Sequence, residues 1–195
     1  WLWHKNIFSF TDSLRIAFFN LINILSTTGY SLGNFDLWTP LTTVIFASVM
    51  LLGGCSGSTA GGIKMFRIQI CFETLPIEVR KLIHPNAIFP RRYNYRPITN
   101  EVSRSVIAFM MAFIGITIVI AGILGMSGVD TLSAITGAMT AMANVGPGMG
   151  PVIGPSGNFA SLPDIAKWAL SIGMLLGRLE VMTVIVLMFP AFWRT

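Results

Sequence analysis

Apolar residues run along this chain in blocks of helical length, and the blocks come in an order that is written twice. An acidic residue opens a short apolar helix, Asp12-Ser13-Leu14 to Ser26 and again Asp130-Thr131-Leu132 to Ala143. A small polar turn with one central glycine follows, Thr27-Thr28-Gly29-Tyr30 and Asn144-Val145-Gly146-Pro147. Next comes Gly-Asn-Phe, at 33–35 and 157–159, and then a proline, Pro40 or Pro163, that starts a longer apolar helix. The two copies lie about 120 residues apart.

The pattern predicts the following elements. Residues 12–26 form a short helix with Asp12 or Thr11 as its N-cap. Pro40 fits a first helical turn, where its missing N–H costs nothing. The run Leu41–Leu52 gives about 18 Å of helix before residues 53–62, with five glycines, interrupt it. Helical patterning resumes from Ile63 to Ile83, and a basic, proline-bearing connector covers 84–99. Residues 100–124 then go up, 131–143 re-enter, 144–162 return, and 163–192 descend. The uncharged stretch Val106–Leu124 is long enough for about one hydrocarbon core, roughly 28 Å. The short helices cannot span and read as re-entrant. The first copy lacks the spanning helix that precedes the short one in the second, so the sequence reads as the C-terminal part of something longer.

Composition narrows the class. Hydrophobic residues make up 53% and charged residues 11%, which excludes an ordinary soluble globule and points to a multi-pass membrane protein. Eight of the 13 Lys and Arg residues fall between Lys64 and Arg104. By the positive-inside tendency, 64–104 faces the cytoplasm with the C-terminal end, and the glycine turns face outward. Topology accounts for the charge without nucleic acid. Cys55 and Cys71 have no metal-ligand spacing and read as packing residues; His4 and His84 sit near interfaces and need no role.

Three features carry candidate chemistry. A short helix that enters the membrane halfway aims the negative end of its dipole at the bilayer centre, which favours a cation there. A segment that continues with its carbonyls turned to an axis can replace the water shell of a monovalent cation. Thr27, Thr28 and Gly29, with Asn144, Val145 and Gly146, are the candidates. One such turn alone reads as an interhelical connection; two in matched surroundings point to a filter.

The second feature is the break Gly53-Gly54-Cys55-Ser56-Gly57-Ser58-Thr59-Ala60-Gly61-Gly62. Open backbone within a membrane is tolerated where it is buried in protein or lines a wet cavity. Gly57 and Gly62 have phosphate-loop spacing, but Ile63-Lys64 follows in place of Gly-Lys-Ser/Thr. Ser56 and Ser58 do not form a Gly-x-Ser-x-Gly elbow either. An enzyme is therefore disfavoured, and a movable obstruction or a static helix break remain. The third feature is Arg178, placed by length roughly 22 Å into the last helix. A charge so deep faces a pore or a partner: an electrostatic barrier under the filter, a contact to the loop carbonyls, or an ion pair with a neighbouring helix. Glu180 points elsewhere on the helix and is no obvious partner for it.

At this point the motifs resemble a family. Ser26–Tyr30, the loop Gly53–Lys64, the turn Ala143–Gly148 and the end Leu176-Gly177-Arg178-Leu179-Glu180 are together similar to the Trk/Ktr/HKT potassium transporters, and most to the bacterial TrkH-type membrane subunit. The loop departs from that pattern at Ala60, where a glycine is expected. The resemblance implies an all-α membrane protein with four helix–pore-helix–helix repeats around a central ion pore, one transmembrane helix being broken. Residues 1–83 would be the second part of the third repeat, 84–99 a cytoplasmic connector and 100–195 the fourth repeat. It implies potassium as the transported ion and no covalent cofactor. The filter would be residues 27–29 and 144–146, the intramembrane gating loop 53–62, and Arg178 the arginine below the filter. It also implies a homodimer in the bacterial inner membrane with a cytoplasmic nucleotide-binding ring of the TrkA type. Potassium uptake through a channel-like pore is the leading expectation, with sodium- or proton-coupled symport and a non-conducting scaffold as alternatives.

Overall fold

A computed structural model describes residues 2–3, 8–84, 87, 89, 92–93 and 96–194 of the chain. Its helices are α1 (Phe10–Leu25), α2 (Pro40–Leu51), α3 (Met65–Ile83), α4 (Asn100–Met126), α5 (Thr131–Ala143), α6 (Asp164–Arg178) and α7 (Val181–Met188), with 3-10 turns at Phe35–Leu37 and Pro190–Trp193. The described part of the connector adds a minimal antiparallel ladder, β1 (Arg92–Tyr93) with β2 (Arg96–Pro97), in which Arg92 faces Pro97 and Tyr93 faces Arg96. Apart from that ladder the described residues are helix, turn and irregular chain, so the fold is all-α. Residues 85–86, 88, 90–91 and 94–95 of the connector lie outside the described residues, as does His4.

Helix starts follow their caps. Asp130 Oδ2 accepts from the Ser133 amide at 3.0 Å and fixes the start of α5. Thr39 caps α2 through the Thr42 amide, with Pro40 in the first turn. The cap of α1 differs from expectation: it is Ser9, whose Oγ accepts from the Asp12 amide at 3.2 Å and donates to Asp12 Oδ2 at 2.8 Å. Ser9 caps the Asp12 amide and its hydroxyl is in turn held by the Asp12 carboxylate, which sits in the first turn, against the positive end of the helix dipole.

α5 is the centre of the second copy. Nine of its 13 residues are buried, nearly all of them small, so α4 and α6 pack closely on it. Gly137 lies against Ile153, Leu124 and Leu170, Gly173 lies against Ile120 and Ala141, and Gly177 lies against the carbonyl of Met142. Gly173 and Gly177 have the four-residue spacing that lets two helices approach at backbone distance, the usual device where lipid gives no hydrophobic drive. The first copy has its own core of Ile24, Phe35, Phe46 and Met50, and Ala143, Val145 and Met149 of the second copy complete it. The two copies thus share a core around their glycine turns.

Of the described helices, only α4 is by itself long and apolar enough to cross a membrane, with 27 residues. α2 ends at Leu51, and the glycine-rich segment separates it from α3, which begins at Met65 and not at Ile63. Ile63 is instead bridged to Leu52: the Gly53 amide donates to Ile63 O at 2.7 Å and the Ile63 amide to Leu51 O at 3.0 Å.

The last helix is not the continuous element expected over 163–192. α6 ends at Arg178, and α7 leaves it at 105° after Leu179 and Glu180. Glu180 takes φ +63°, costly for a residue with a side chain. Two tethers explain the turn. Arg178 donates to the carbonyl of Thr59, and Glu180 pairs with Arg67 of α3 at 2.9 Å. Neighbouring residues are drawn to different partners, and the helix ends between them.

Candidate functional site

The two glycine turns meet. A β-carbon built on Gly29 would lie 2.9 Å from the carbonyl oxygen of Val145, and one built on Gly146 would lie 3.4 Å from the α-carbon of Gly29. Both glycines have positive φ, +86° and +116°, so any side chain there is strained as well as crowded. Thr27 and Asn144 also have positive φ, +54° and +55°, so the sign alternates along 27–29 and 144–146 alike. An ordinary strand keeps φ negative and points successive carbonyls to opposite sides; these segments depart from that rule at the same two positions. Thr28 and Gly146 are exposed, whereas the Val145 side chain is buried in the shared core.

The pairing is also matched in its anchors. The Thr27 amide donates to Ile24 O, as the Asn144 amide does to Ala141 O. The Thr28 amide donates to Asn23 O at 3.0 Å, as the Val145 amide does to Thr140 O at 3.1 Å. Thr140 Oγ1 in addition accepts from the Gly146 amide at 3.0 Å. Even the Gly-Asn-Phe pairs fold alike: Asn34 Oδ1 accepts from the Asp36 amide and Asn158 Oδ1 from the Ala160 amide.

The glycine-rich segment lies against the start of both turns, where they leave α1 and α5. The Gly61 amide points to Thr27 Oγ1 at 3.4 Å. A β-carbon on Gly61 would run into the carbonyl of Ala143 and come within 3.1 Å of Asn144 Cβ. Ala60, Gly61 and Gly62 are buried there, while Cys55 to Thr59 form an exposed tip. Cys55 O accepts from the Ser58 amide at 3.0 Å and Ser58 Oγ from the Ala60 amide at 3.1 Å. Gly53 and Gly54 sit at the bridged base, where a β-carbon on Gly53 would meet Gly61 O. Ala60 packs beside Gly54 and does not have a positive φ, so the backbone there accommodates alanine in place of the expected glycine.

Three successive carbonyls of that tip are held by cations. Lys64 Nζ donates to Ser58 O and to Ala60 O, both at 2.6 Å, and Arg178 Nη1 donates to Thr59 O at 2.5 Å. Of the roles left open for Arg178, contact with the loop is the geometry found; it stands at the end of α6 and not within a longer helix. Arg67 lies over the Phe109 ring at 3.8 Å and pairs with Glu180. A cavity of about 300 Å³ opens among residues 57–62, Lys64, Arg67, Phe109, Gly177, Arg178 and Glu180. Three cations and one carboxylate line it, so its potential is positive. The sequence marked Arg67 only as a topology charge, and Lys64 as a topology charge at the end of the loop motif, with no contact assigned to either. The signal for Lys64 was its place four and six residues after the carbonyls it takes.

Beyond the turns, on the return segments, Asp36 Oδ2 accepts from the Gly150 amide at 3.0 Å, and Ser31 Oγ donates to Pro155 O at 3.3 Å. These bonds tie the return segment of the first copy to that of the second.

A family profile described as TrkH, cation transport protein, matches residues 8–194. The chain belongs to the TrkH family. It is 47% identical over 189 residues to the Trk system potassium uptake protein TrkI of Halomonas elongata, covering 95% of this chain and 38% of that protein. It is 36% identical over 194 residues to the Trk system potassium uptake protein TrkH of Salmonella typhimurium, covering 99% of this chain and 40% of that protein. The crystal structure of the potassium transporter TrkH from Vibrio parahaemolyticus superposes with a TM-score of 0.88 at 31% identity, over 99% of this chain and 41% of that one. The chain therefore spans about two fifths of the length of the TrkH-family relatives it matches. Membership bears out the all-α membrane fold and places the chain in a transport family, not an enzyme family.

Proposed function

We propose that this chain forms part of a potassium uptake pore. In this reading residues 1–83 belong to one pore repeat, 84–99 are a cytoplasmic connector, and 100–195 are the next repeat. The backbone carbonyls of Thr27, Thr28 and Gly29, and of Asn144, Val145 and Gly146, supply two sides of a selectivity filter, with potassium as the transported substrate. The loop 53–62 obstructs the path below them and moves to open it. Arg178, with Lys64, holds the loop and adds a positive barrier. The remaining sides come from other repeats of the same protein.

The observation that carries this reading is the contact of Gly29 with Gly146 directly over the glycine-rich loop. Alternating φ at matched positions supports carbonyls turned to a shared axis, and the C-terminal ends of α1 and α5 add negative potential there. None of the six filter residues is titratable, which favours passive flow over proton coupling. The names of the relatives, all potassium uptake proteins, agree with the substrate. The reading places the protein in the bacterial inner membrane with 64–104 and the C-terminal end inside. It includes assembly as a homodimer bearing a TrkA-type nucleotide-binding ring on that inner face.

The test is ion flux through the full-length protein in liposomes. Gly29→Ser or Gly146→Ser should change the rate and the potassium-over-sodium ratio. Unchanged rate and ratio in both variants would overturn the filter and leave the scaffold reading standing.

A further inference from the structure

Two polar side chains lie buried in the middle of the apolar helices that precede the filter turns, and the proposed function has not used them. Asn20 of α1 is 1% exposed and Thr136 of α5 is 2% exposed. Asn20 Nδ2 donates to Leu32 O at 3.0 Å, and Asn20 Oδ1 accepts from the Leu32 amide at 2.8 Å. Thr136 Oγ1 donates to Met149 O at 2.8 Å and accepts from the Met149 amide at 3.0 Å. In each copy one side chain contacts both backbone groups of one residue on the segment leaving the turn, Asn20 with a separate donor and acceptor and Thr136 through one hydroxyl.

The clamped residues are equivalent. Leu32 stands three residues past Gly29, and Met149 three past Gly146. Two different side chains thus perform one task at one place, while the lower end of each segment is pinned to the same helix through the Thr28 and Val145 amides. Thr136 is not merely a satisfied buried hydroxyl. Its single hydroxyl hydrogen faces two carbonyls at 2.8 Å, Leu132 O of its own helix and Met149 O, and is shared between them, while its lone pair takes the Met149 amide; the bonds to Met149 thus add to the ordinary back-bond of a helical threonine. Each short segment is fixed at two points on a rigid helix and cannot lengthen or shift without breaking one of them.

We propose that Asn20 and Thr136 are positioning residues of the ion path: by clamping the residue three beyond each filter glycine they set the spacing of the filter carbonyls, and hence which cation fits. The proposal rests on the filter reading above. It assigns selectivity, and not only folding, to two residues that touch no ion.

The experiment compares potassium and sodium uptake by the full-length protein in liposomes. Thr136→Val keeps the volume and removes both bonds to Met149; Thr136→Ser keeps the hydroxyl. Losing the pair should lower the potassium-over-sodium ratio by about tenfold, mainly through a raised apparent KM for potassium, and Thr136→Ser should restore most of the ratio. Asn20→Leu should act likewise from the other copy. If Thr136→Val does not assemble, Thr136→Ala carries the same comparison. A wild-type ratio in the Thr136 and Asn20 variants, with only the yield of folded protein reduced, would overturn the proposal. Gly146→Ser measured alongside separates the two ideas. If it shifts the ratio while the clamp variants do not, the clamp fails alone; if it too leaves the ratio unchanged, the filter reading fails first.

Discussion

Asp36 and Gly150 stand 114 positions apart and are joined by one hydrogen bond, the Gly150 amide donating to Asp36 Oδ2 at 3.0 Å. The other carboxylate oxygen of Asp36 is buried without a hydrogen-bond partner among the described residues. Burial pushes this carboxyl above the ordinary aspartate value of 3.8, and the Gly150 amide offsets only part of the effect. Asp130, at the cap of α5, also approaches Gly150 and is a second acidic group on the elements around it. A carboxyl raised in the folded state stabilises the fold while protonated, and that contribution is lost as pH rises through its folded value. Asp36→Asn keeps an oxygen for Gly150 and removes the charge. Its melting temperature in detergent should exceed wild type near pH 7, and the gain should vanish as pH falls below the usual aspartate range. A lower melting temperature at every pH would contradict this account.

Gly61 has no room for a side chain against Ala143 and Asn144. Gly61→Ala should therefore push the glycine-rich segment off the start of the turns. If that segment obstructs the path, the full-length variant should show basal potassium flux raised several-fold in liposomes. Flux at the wild-type level, in a variant shown to be folded, would count against a gate.

Lys64 and Arg178 hold adjacent carbonyls of one short tip, so their effects should not add. Either Lys64→Met or Arg178→Ala should raise basal flux, and the double variant should raise it by less than the product of the two. Strictly multiplicative effects would show that the cations act on separate elements. Unchanged flux with reduced folding yield would make Arg178 a purely structural contact.

Arg67 combines an ion pair to Glu180 with a stack on Phe109, and its side chain is 11% exposed. Lysine has neither the flat cation nor the fork needed for both. Arg67→Lys should cost about 1–2 kcal/mol of stability, read as a lowered thermal midpoint in detergent. The elbow after Arg178 should become more accessible to protease. A midpoint equal to wild type would mean the stack and pair contribute nothing net.

Much of the architecture could be read from residues alone, because local chemistry decides it. Asp130 and the small residues after it delimit α5 at 131–143, and Pro40 delimits α2. The glycines at 53–62 forbid a continuous helix. Where the reading failed, a distant partner decides. Nothing in Leu179-Glu180 signals a bend within an apolar run; the signal is the pull of Thr59 and Arg67, 119 and 113 positions away. The cap of α1 was legible, since Ser9 and Asp12 have the capping-box spacing, but an acidic residue at the head of an apolar run drew the eye instead. Asn20 and Thr136 look like stray polar residues until their bonds to Leu32 and Met149 are seen.

Lys64 adjoins the first turn of α3 and takes the carbonyls on either side of Thr59, whereas Arg178 takes Thr59 itself from the far side, at the end of α6. The tip is thus gripped by two hands that belong to different helices. Any tilt of α3 that leaves α6 in place would twist one peptide against its neighbours, converting a small swing of a long helix into a local rupture beside the paired glycine turns.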